Sequence, residues 1–303
     1  MIKNDKILGS VLSLFSAISI SLVYIVSRSV QNSMKTDLFI LWWFFFAGIW
    51  ASFILVYKRK DFLCYIETVK KHKLFFIYFT LSETYGAFIF FYLIKIINPS
   101  VVSFLGSVTP LFVAIIAFFY IGEKMSAREL LGGLISMAGV FLITYVSPDV
   151  KIIYVLMILS TVLIYSFNTV LVKKKTKDIP PILITLIRIF FLFLAYLFYN
   201  IVKGGIRLPD LREFILIAGG SLLGPILGMF ALFSAFKYIK STEVSLIKNS
   251  QPFFVILLST VFLDIGIKIE QLVAGILIVI GISFIISEKR LGIRTILNRF
   301  IKN

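Results

Sequence analysis

The sequence is poor in the residues that carry most enzyme and metal chemistry. Its 303 residues include a single cysteine, Cys64, and a single histidine, His72. One cysteine excludes an intramolecular disulfide. One histidine excludes paired-histidine metal motifs and argues against a histidine-based catalytic triad. We therefore expect no metal, no cofactor and no enzymatic activity.

Charged residues are also scarce, whereas apolar residues are abundant. The chain is 15% charged and 59% hydrophobic, with a mean hydropathy of +1.01, whereas soluble domains are about 25% charged. This composition indicates an all-α polytopic membrane protein. Because a bilayer core needs about 20 apolar residues per helix, we predict ten transmembrane helices at 7–27, 37–57, 74–94, 100–121, 128–147, 152–172, 180–202, 213–236, 243–263 and 269–287.

The net charge of +16 is distributed unevenly over the predicted loops. The two termini and the loops after the even-numbered spans carry 21 of the 31 Lys and Arg residues, and the other loops carry 8. The positive-inside rule then places both termini in the cytoplasm, with the protein in the cytoplasmic membrane. We interpret the basic runs as topology signals and contacts with anionic lipids, and we expect no nucleic-acid binding.

One stretch of the chain occurs twice. Residues 86–144 align without a gap with residues 228–286, at an offset of 142, and 14 of the 59 pairs are identical. The matches include prolines and glycines, namely Pro110/Pro252, Gly133/Gly275 and Gly139/Gly281. We interpret this as a duplication, with one five-helix repeat at 1–148 and a second at 149–303. Because five is odd, the second copy is predicted to be inverted, with a central substrate cavity between the halves.

Three ionisable residues fall inside predicted spans: Glu83, Arg188 and Lys248. Intramembrane charges are functional hypotheses by default. The alternative is a buried charge network that fixes helix packing. Glu83 aligns with Pro225 of the second half, and Gly224 precedes that proline.

Four positions are predicted to kink or break helices. Pro110 and Pro252 lie inside the predicted fourth and ninth spans, and Gly224 and Pro225 lie inside the eighth. A proline frees a backbone carbonyl one turn earlier. Irregular backbone at membrane depth is tolerated only where it is buried or lines water, so these positions point to the central region.

We hypothesise a binding site for a small solute in this region. Lys248, Asn249 and Gln251 would bind a carboxylate or other acidic group, and Glu83 would bind an amine or take up the proton that drives transport. An apolar wall is predicted from Tyr24, Tyr85, Tyr165 and Trp42. Ser107 and Asn168 are further polar candidates.

The repeated stretch resembles the drug/metabolite transporter superfamily, in its ten-span EamA-like branch. The resemblance rests on Pro110, on Gly122-Glu123 at the helix end, and on the glycine spacing of Gly133 and Gly139. The second half has Asp264-Ile265 where Gly-Glu would stand. The resemblance implies two inverted five-helix halves around a cavity lined by spans 1, 3, 4, 6, 8 and 9.

The resemblance also implies a secondary transporter that exports small metabolites, amino-acid-like or drug-like. An exchanger of phosphorylated sugars or nucleotide-sugars is the alternative within the superfamily, although it would need more cations. A non-transporting receptor or an intramembrane enzyme are weaker alternatives. One chain closes the cavity without a partner, so we expect a monomer.

Overall fold

The computed structural model describes residues 3–57, 62–121, 127–147, 150–239 and 241–290. Gly122-Glu123, which carried part of the family resemblance, lies outside these residues. The described chain forms helices only: α1 (Lys3–Gln31), α2 (Thr36–Tyr57), α3 (Phe62–Lys71), α4 (Lys73–Ile96), α5 (Pro99–Gly106), α6 (Thr109–Ile121), α7 (Ala127–Tyr145), α8 (Ile152–Lys175), α9 (Pro181–Lys203), α10 (Leu211–Ser221), a π-helical segment (Leu222–Gly228), α11 (Met229–Tyr238), α12 (Ser241–Lys248), α13 (Gln251–Leu263) and α14 (Ile269–Arg290).

Within the described residues, seven segments are long and apolar enough to cross a membrane, rather than the ten predicted. They are Asp5–Gln31, Thr36–Val56, Lys73–Ile96, Pro99–Tyr120, Ile152–Lys175, Pro181–Lys203 and Leu211–Tyr238. Three shorter apolar helices, Leu134–Ile143, Gln251–Leu263 and Ile269–Gly281, lie in the remaining predicted spans. The basic stretch before α4 is not a simple loop, since it contains α3, on which Cys64 is exposed.

The fourth and ninth predicted spans are each divided at matching positions. α5 ends at Gly106 and α6 begins at Thr109, while α12 ends at Lys248 and α13 begins at Gln251. Pro110 and Pro252 are therefore the second residues of α6 and α13. A proline removes one helical hydrogen bond and crowds the carbonyl four residues earlier, whereas the first turn of a helix accepts it. The two prolines thus begin new helices rather than kinking continuous ones.

The eighth predicted span is continuous but changes its winding. Its middle turns, Leu222–Gly228, are π-helical and contain Pro225. We expected a kink or an unwound stretch here. The wider π turn instead accommodates the proline while the helix continues, and such turns occur frequently at functional sites.

α7 and α14 pack against each other through glycines. A Cβ at Gly139 would lie 2.8 Å from the backbone N of Ile278, and one at Gly281 would lie 2.5 Å from the carbonyl O of Gly132. The Ser136 hydroxyl donates to the Ile278 carbonyl at 3.2 Å. From Gly132 to Gly139 the residue numbers on α7 rise, while the residues that they contact on α14 fall from Gly281 to Ala274. The two helices are therefore antiparallel. Side chains at these glycines would force the backbones apart.

The remaining helices pack in a reciprocal pattern. α1 packs on α11, α12 and α13, and α8 packs on α4, α5 and α6. Large apolar side chains remain exposed on the outer surface, for example Phe119 at 80% and Tyr145 at 88%. A soluble protein rarely exposes apolar surface on this scale, whereas a lipid environment requires it.

Hydrogen bonds between the connections define two ends of the helix bundle. At one end, Lys95 Nζ donates to the carbonyl of Met34 at 3.1 Å, and Asn98 Nδ2 donates to the carbonyl of Gly266 at 3.0 Å. At the other end, Lys173 Nζ donates to the carbonyl of Ile239 at 2.7 Å. Connections after the first, third and ninth predicted spans thus share one end, and those after the sixth and eighth share the other.

Candidate functional site

A cavity of about 230 Å³ lies among the helices of both halves. Most of the predicted site and helix-break residues line it: Tyr24, Glu83, Ser107, Tyr165, Asn168, Gly224, Pro225, Lys248, Asn249, Gln251 and Pro252. α2 and α9, which the family resemblance did not place at the cavity, also contribute, through Trp43, Phe44 and Arg188. The volume is suited to a small solute, since a liquid water takes up about 30 Å³.

Three of the predicted residues do not line this cavity. Tyr85 is 45% exposed, and its hydroxyl is 3.0 Å from the Ser160 hydroxyl. It is two positions from Glu83, and two helical positions differ by about 200°, so the two side chains take opposite faces. Trp42 donates its indole N–H to the carbonyl of Arg207 at 2.9 Å. Pro110 is buried beside the cavity in the first turn of α6.

Glu83 lies in a cluster of polar groups contributed by both halves. Arg188 Nε donates to one carboxylate oxygen at 2.6 Å, and Asn168 Nδ2 donates to the other at 2.9 Å. Asn168 also contacts the Ser82 hydroxyl at 3.0 Å. We call Ser82, Glu83, Asn168 and Arg188 the ion-pair cluster. Each oxygen of Glu83 therefore already accepts one hydrogen bond, and the negative charge of Glu83 is paired with Arg188.

Arg188 is further held by an aromatic ring. Its guanidinium carbon lies 5.5 Å from the centroid of Phe44, within the range of a cation–π interaction. Only 8% of Arg188 and 3% of Glu83 is exposed. A buried charge without a partner is strongly destabilising, so the pair holds α4 and α9 together.

Lys248 is in a different situation. It lines the cavity as the last residue of α12, and among the described residues it has no hydrogen-bond or ion-pair partner. It is near enough to Glu83 for their charges to interact. The next residue, Asn249, is 8% exposed, and its side-chain Nδ2 has no hydrogen-bond partner. We call Lys248 and Asn249 the broken-helix cluster.

Aromatic rings form much of the remaining wall. Tyr24 meets Phe90 edge to face at a centroid distance of 5.0 Å, and its hydroxyl lies close to the side chains of Ser103 and Gln251. Tyr165 packs directly on Gly86, where a Cβ would lie 2.7 Å from the phenol oxygen. The cavity therefore combines a large apolar surface with a few polar groups, as small-molecule sites generally do.

Sequence reasoning missed Trp43 and chose its neighbour Trp42. Trp43 is 1% exposed and packs on Gly220, where a Cβ would lie 2.8 Å from the indole ring. The signal was the small residues Ala47 and Ala51, one and two turns further along, both fully buried. Small residues mark the face on which membrane helices approach each other, and Trp43 shares that face.

The described residues contain no group of three or more His, Cys, Asp or Glu side chains that could hold a metal ion. The cavity chemistry of this part of the chain therefore depends on one carboxylate, two cations, amides and hydroxyls. Such groups are suited to binding and orienting a small solute.

A family model, described as the EamA-like transporter family, matches the chain twice, at residues 7–145 and 152–287. The chain belongs to this family. A solved structure titled "Crystal structure of protein" superposes with a TM-score of 0.69 at 15% sequence identity, covering 93% of this chain and 98% of its own. At that identity the likeness concerns the fold alone. No curated protein matches the sequence at a significant level.

Proposed function

We propose that this membrane protein is a secondary transporter that exports small metabolites by alternating access. The observation that carries the proposal is the cavity, which residues from both family matches line. Its lining includes residues at the breaks between α5 and α6 and between α12 and α13, the two broken helices. Broken helices around a site shared by two repeats recur in secondary transporters. The solutes are amino-acid-like or drug-like, and protons are the proposed coupling ion.

The proposed architecture is ten spans in two inverted five-helix halves, 1–148 and 149–303. Its support is the antiparallel packing of α7 and α14, in which equivalent residues meet. Gly139 approaches Ile278 and Ala274, and Gly281 approaches Ser136 and Gly132, which are their counterparts at the offset of 142. Such reciprocal contacts are the signature of a two-fold relation. The three shorter apolar helices would complete the ten spans.

The orientation follows from charge. We propose that both termini lie in the cytoplasm and that the basic connections contact anionic lipids. Lys173 and its neighbours belong to the basic end, where they contact the connection at Ile239. One chain supplies both sides of the cavity, so the protein is proposed to act as a monomer.

Within the cavity, the broken-helix cluster and Gln251 are the proposed polar anchors of the solute, with Ser107 beside them. Tyr24 and Tyr165 form the apolar wall. The ion-pair cluster, which includes Glu83 and Asn168, connects the two halves and is positioned to sense their relative movement. Gly224, Pro225, Pro110 and Pro252 allow the helices to change their winding as the halves move.

Alternating access is tested without knowing the substrate. Cys64 is the only cysteine, so a Cys64→Ser background allows a single cysteine to be placed at Ser107, which lines the cavity. A membrane-impermeant maleimide is applied to right-side-out and to inside-out vesicles. A transporter that alternates is labelled from both sides, because each conformation opens the cavity to one of them.

Ser13→Cys in the same background is the matched control. Ser13 is fully buried on α1 and does not line the cavity, so it should remain unlabelled from either side. Labelling of Ser107→Cys from one side only, under all conditions, would contradict alternating access and favour a receptor. The phosphorylated-sugar exchanger gains no support, since one of the two cavity cations is already paired with Glu83.

A further inference from the structure

We propose that the cavity selects small monocarboxylates with an apolar body, and that the broken-helix cluster binds their carboxylate. This inference rests on the proposed transport function, and it narrows the proposed solutes to drug-like carboxylic acids, leaving out the amino-acid-like ones. It is argued from the unpartnered polar groups, from the charge balance of the cavity and from the difference between the two broken helices.

The first argument is that the site contains hydrogen-bond donors without acceptors. The side-chain Nδ2 of Asn249 is buried and has no hydrogen-bond partner. Lys248 adds an ammonium group that no described residue accepts from. Buried donors are nearly always paired in native proteins. Unpaired donors gathered at one cavity therefore point to a ligand that supplies acceptor oxygens.

The second argument is charge balance. The charged residues lining the cavity within the described chain are Glu83, Arg188 and Lys248. Arg188 neutralises Glu83 through their ion pair, so one positive charge remains. A ligand with one negative charge would balance the site. A phosphate monoester carries nearly two negative charges and would give the site a net negative charge.

The third argument is the direction of the half-helix that follows the break. Gln251 and Pro252, the first residues of α13, line the cavity. The N-terminal end of a helix carries a partial positive charge, which favours an anion. Asn249, with its unpartnered Nδ2, lies two residues before this end, and Lys248 three, and both line the same cavity.

The equivalent break in the first half lacks this chemistry. Gly106 and Ser107 stand where Lys248 and Asn249 stand in the second half. The Ser107 hydroxyl already donates to the carbonyl of Ser103 at 3.0 Å. Of the residues at the two breaks, Lys248 and Asn249 therefore offer unused side-chain donors and Gly106 and Ser107 do not. The carboxylate is assigned to it, while the aromatic wall of Tyr24, Phe90 and Tyr165 receives the apolar body.

The ion-pair cluster decides against a required amine. Arg188 already balances the negative charge of Glu83, so an ammonium group on the ligand would leave one positive charge unbalanced after the ligand carboxylate has paired with Lys248. The ligand class is therefore carboxylic acids without a compensating amine. This replaces the expectation that Glu83 binds a substrate amine.

The test compares phenylacetate with its neutral amide, phenylacetamide, by thermal shift and isothermal calorimetry on the purified full chain. Both probes have the same ring and nearly the same shape. Phenylacetate should raise the melting temperature in a concentration-dependent manner, because a ligand that binds the folded state stabilises it. Phenylacetamide should bind at least tenfold more weakly, and so should phenylacetate to Lys248→Gln.

The matched control is Lys174→Gln, which removes a lysine that lies over the Tyr120 ring outside the cavity. Its affinity for phenylacetate should equal that of the wild type. Equal binding of acid and amide, or undiminished binding to Lys248→Gln, would overturn the proposal. If Lys248→Gln does not fold, the comparison of acid and amide in the wild-type protein still decides it.

Two further probes test the ligand class. Tighter binding of phenyl phosphate would assign the site to phosphorylated ligands, and tighter binding of phenylalanine would show that an amine is engaged. Either result would reject the monocarboxylate class. The labelling of Ser107→Cys from both sides is independent of all these outcomes, so a failed ligand prediction remains distinguishable from a failed transport function.

Discussion

The ion-pair cluster and the broken-helix cluster contain similar groups in opposite situations. In the first, Glu83 accepts from Arg188 and Asn168, and every charge has a partner. In the second, Asn249 Nδ2 is buried without a partner, and Lys248, which lines the cavity, has no hydrogen-bond or ion-pair partner among the described residues. The comparison separates two uses of buried polar groups in a membrane protein. Groups that satisfy each other hold helices together, and groups left unsatisfied are available to a ligand.

The largest expected effect comes from breaking the ion pair. Arg188→Met leaves Glu83 buried without a counter-charge, which should cost about 3–5 kcal/mol of stability. Removing the unpaired cation, in Lys248→Met, should leave stability unchanged or raise it. Thermal unfolding of the two variants in the same detergent measures the difference. Equal destabilisation would mean that both cations are structural and would remove the distinction between the clusters.

A smaller loss of stability is expected from Asn168→Ala. This change removes the donor that serves one oxygen of Glu83 and also contacts Ser82. Hydrogen bonds to charged groups contribute about 1.5–3 kcal/mol. Chemical or thermal unfolding should therefore place this variant between wild type and Arg188→Met. Ser10→Ala is a control, since its exposed hydroxyl bonds only to its own helix backbone.

The broken-helix cluster can be converted into a paired one. Asn249→Asp places a carboxylate beside Lys248, which should satisfy the lysine internally. Binding of phenylacetate should then fall about tenfold, or about 1.4 kcal/mol, with little change in melting temperature. Calorimetry with phenylacetate provides the measurement, and Asn249→Ser, which keeps a neutral polar group, provides the control. Unchanged affinity in the Asp variant would argue that the carboxylate is bound elsewhere.

The smallest effect is expected at Tyr85. Its hydroxyl meets Ser160 on the outer surface, outside the cavity. Tyr85→Phe should leave phenylacetate affinity unchanged and lower stability by no more than about 1 kcal/mol. Tyr24→Phe is the matched comparison, because the Tyr24 hydroxyl lies at the cavity near Ser103 and Gln251. A loss of phenylacetate binding in Tyr85→Phe but not in Tyr24→Phe would contradict the placement of Tyr24 at the cavity and Tyr85 outside it.

Much of the site was accessible from the sequence because charge inside an apolar span is conspicuous. Glu83, Arg188 and Lys248 stand out in any reading of the chain, and all three line the cavity. The choice between Trp42 and Trp43 failed because nearly all residues of α2 are apolar. Differences in hydropathy therefore do not show which of two adjacent aromatic residues faces the cavity. The small residues Ala47 and Ala51, on the same face as Trp43, were the signal that indicated which face of the helix is packed.

The sequence by itself determined that this chain belongs in a membrane and that part of it occurs twice. Composition and periodic matches are local properties, so no coordinates were needed for them. Tertiary structure alone decided which charges are paired. Glu83 and Arg188 are 105 positions apart, and whether two such groups meet depends on how the helices pack. For the same reason, only the packed helices distinguish the lysine that is left without a partner.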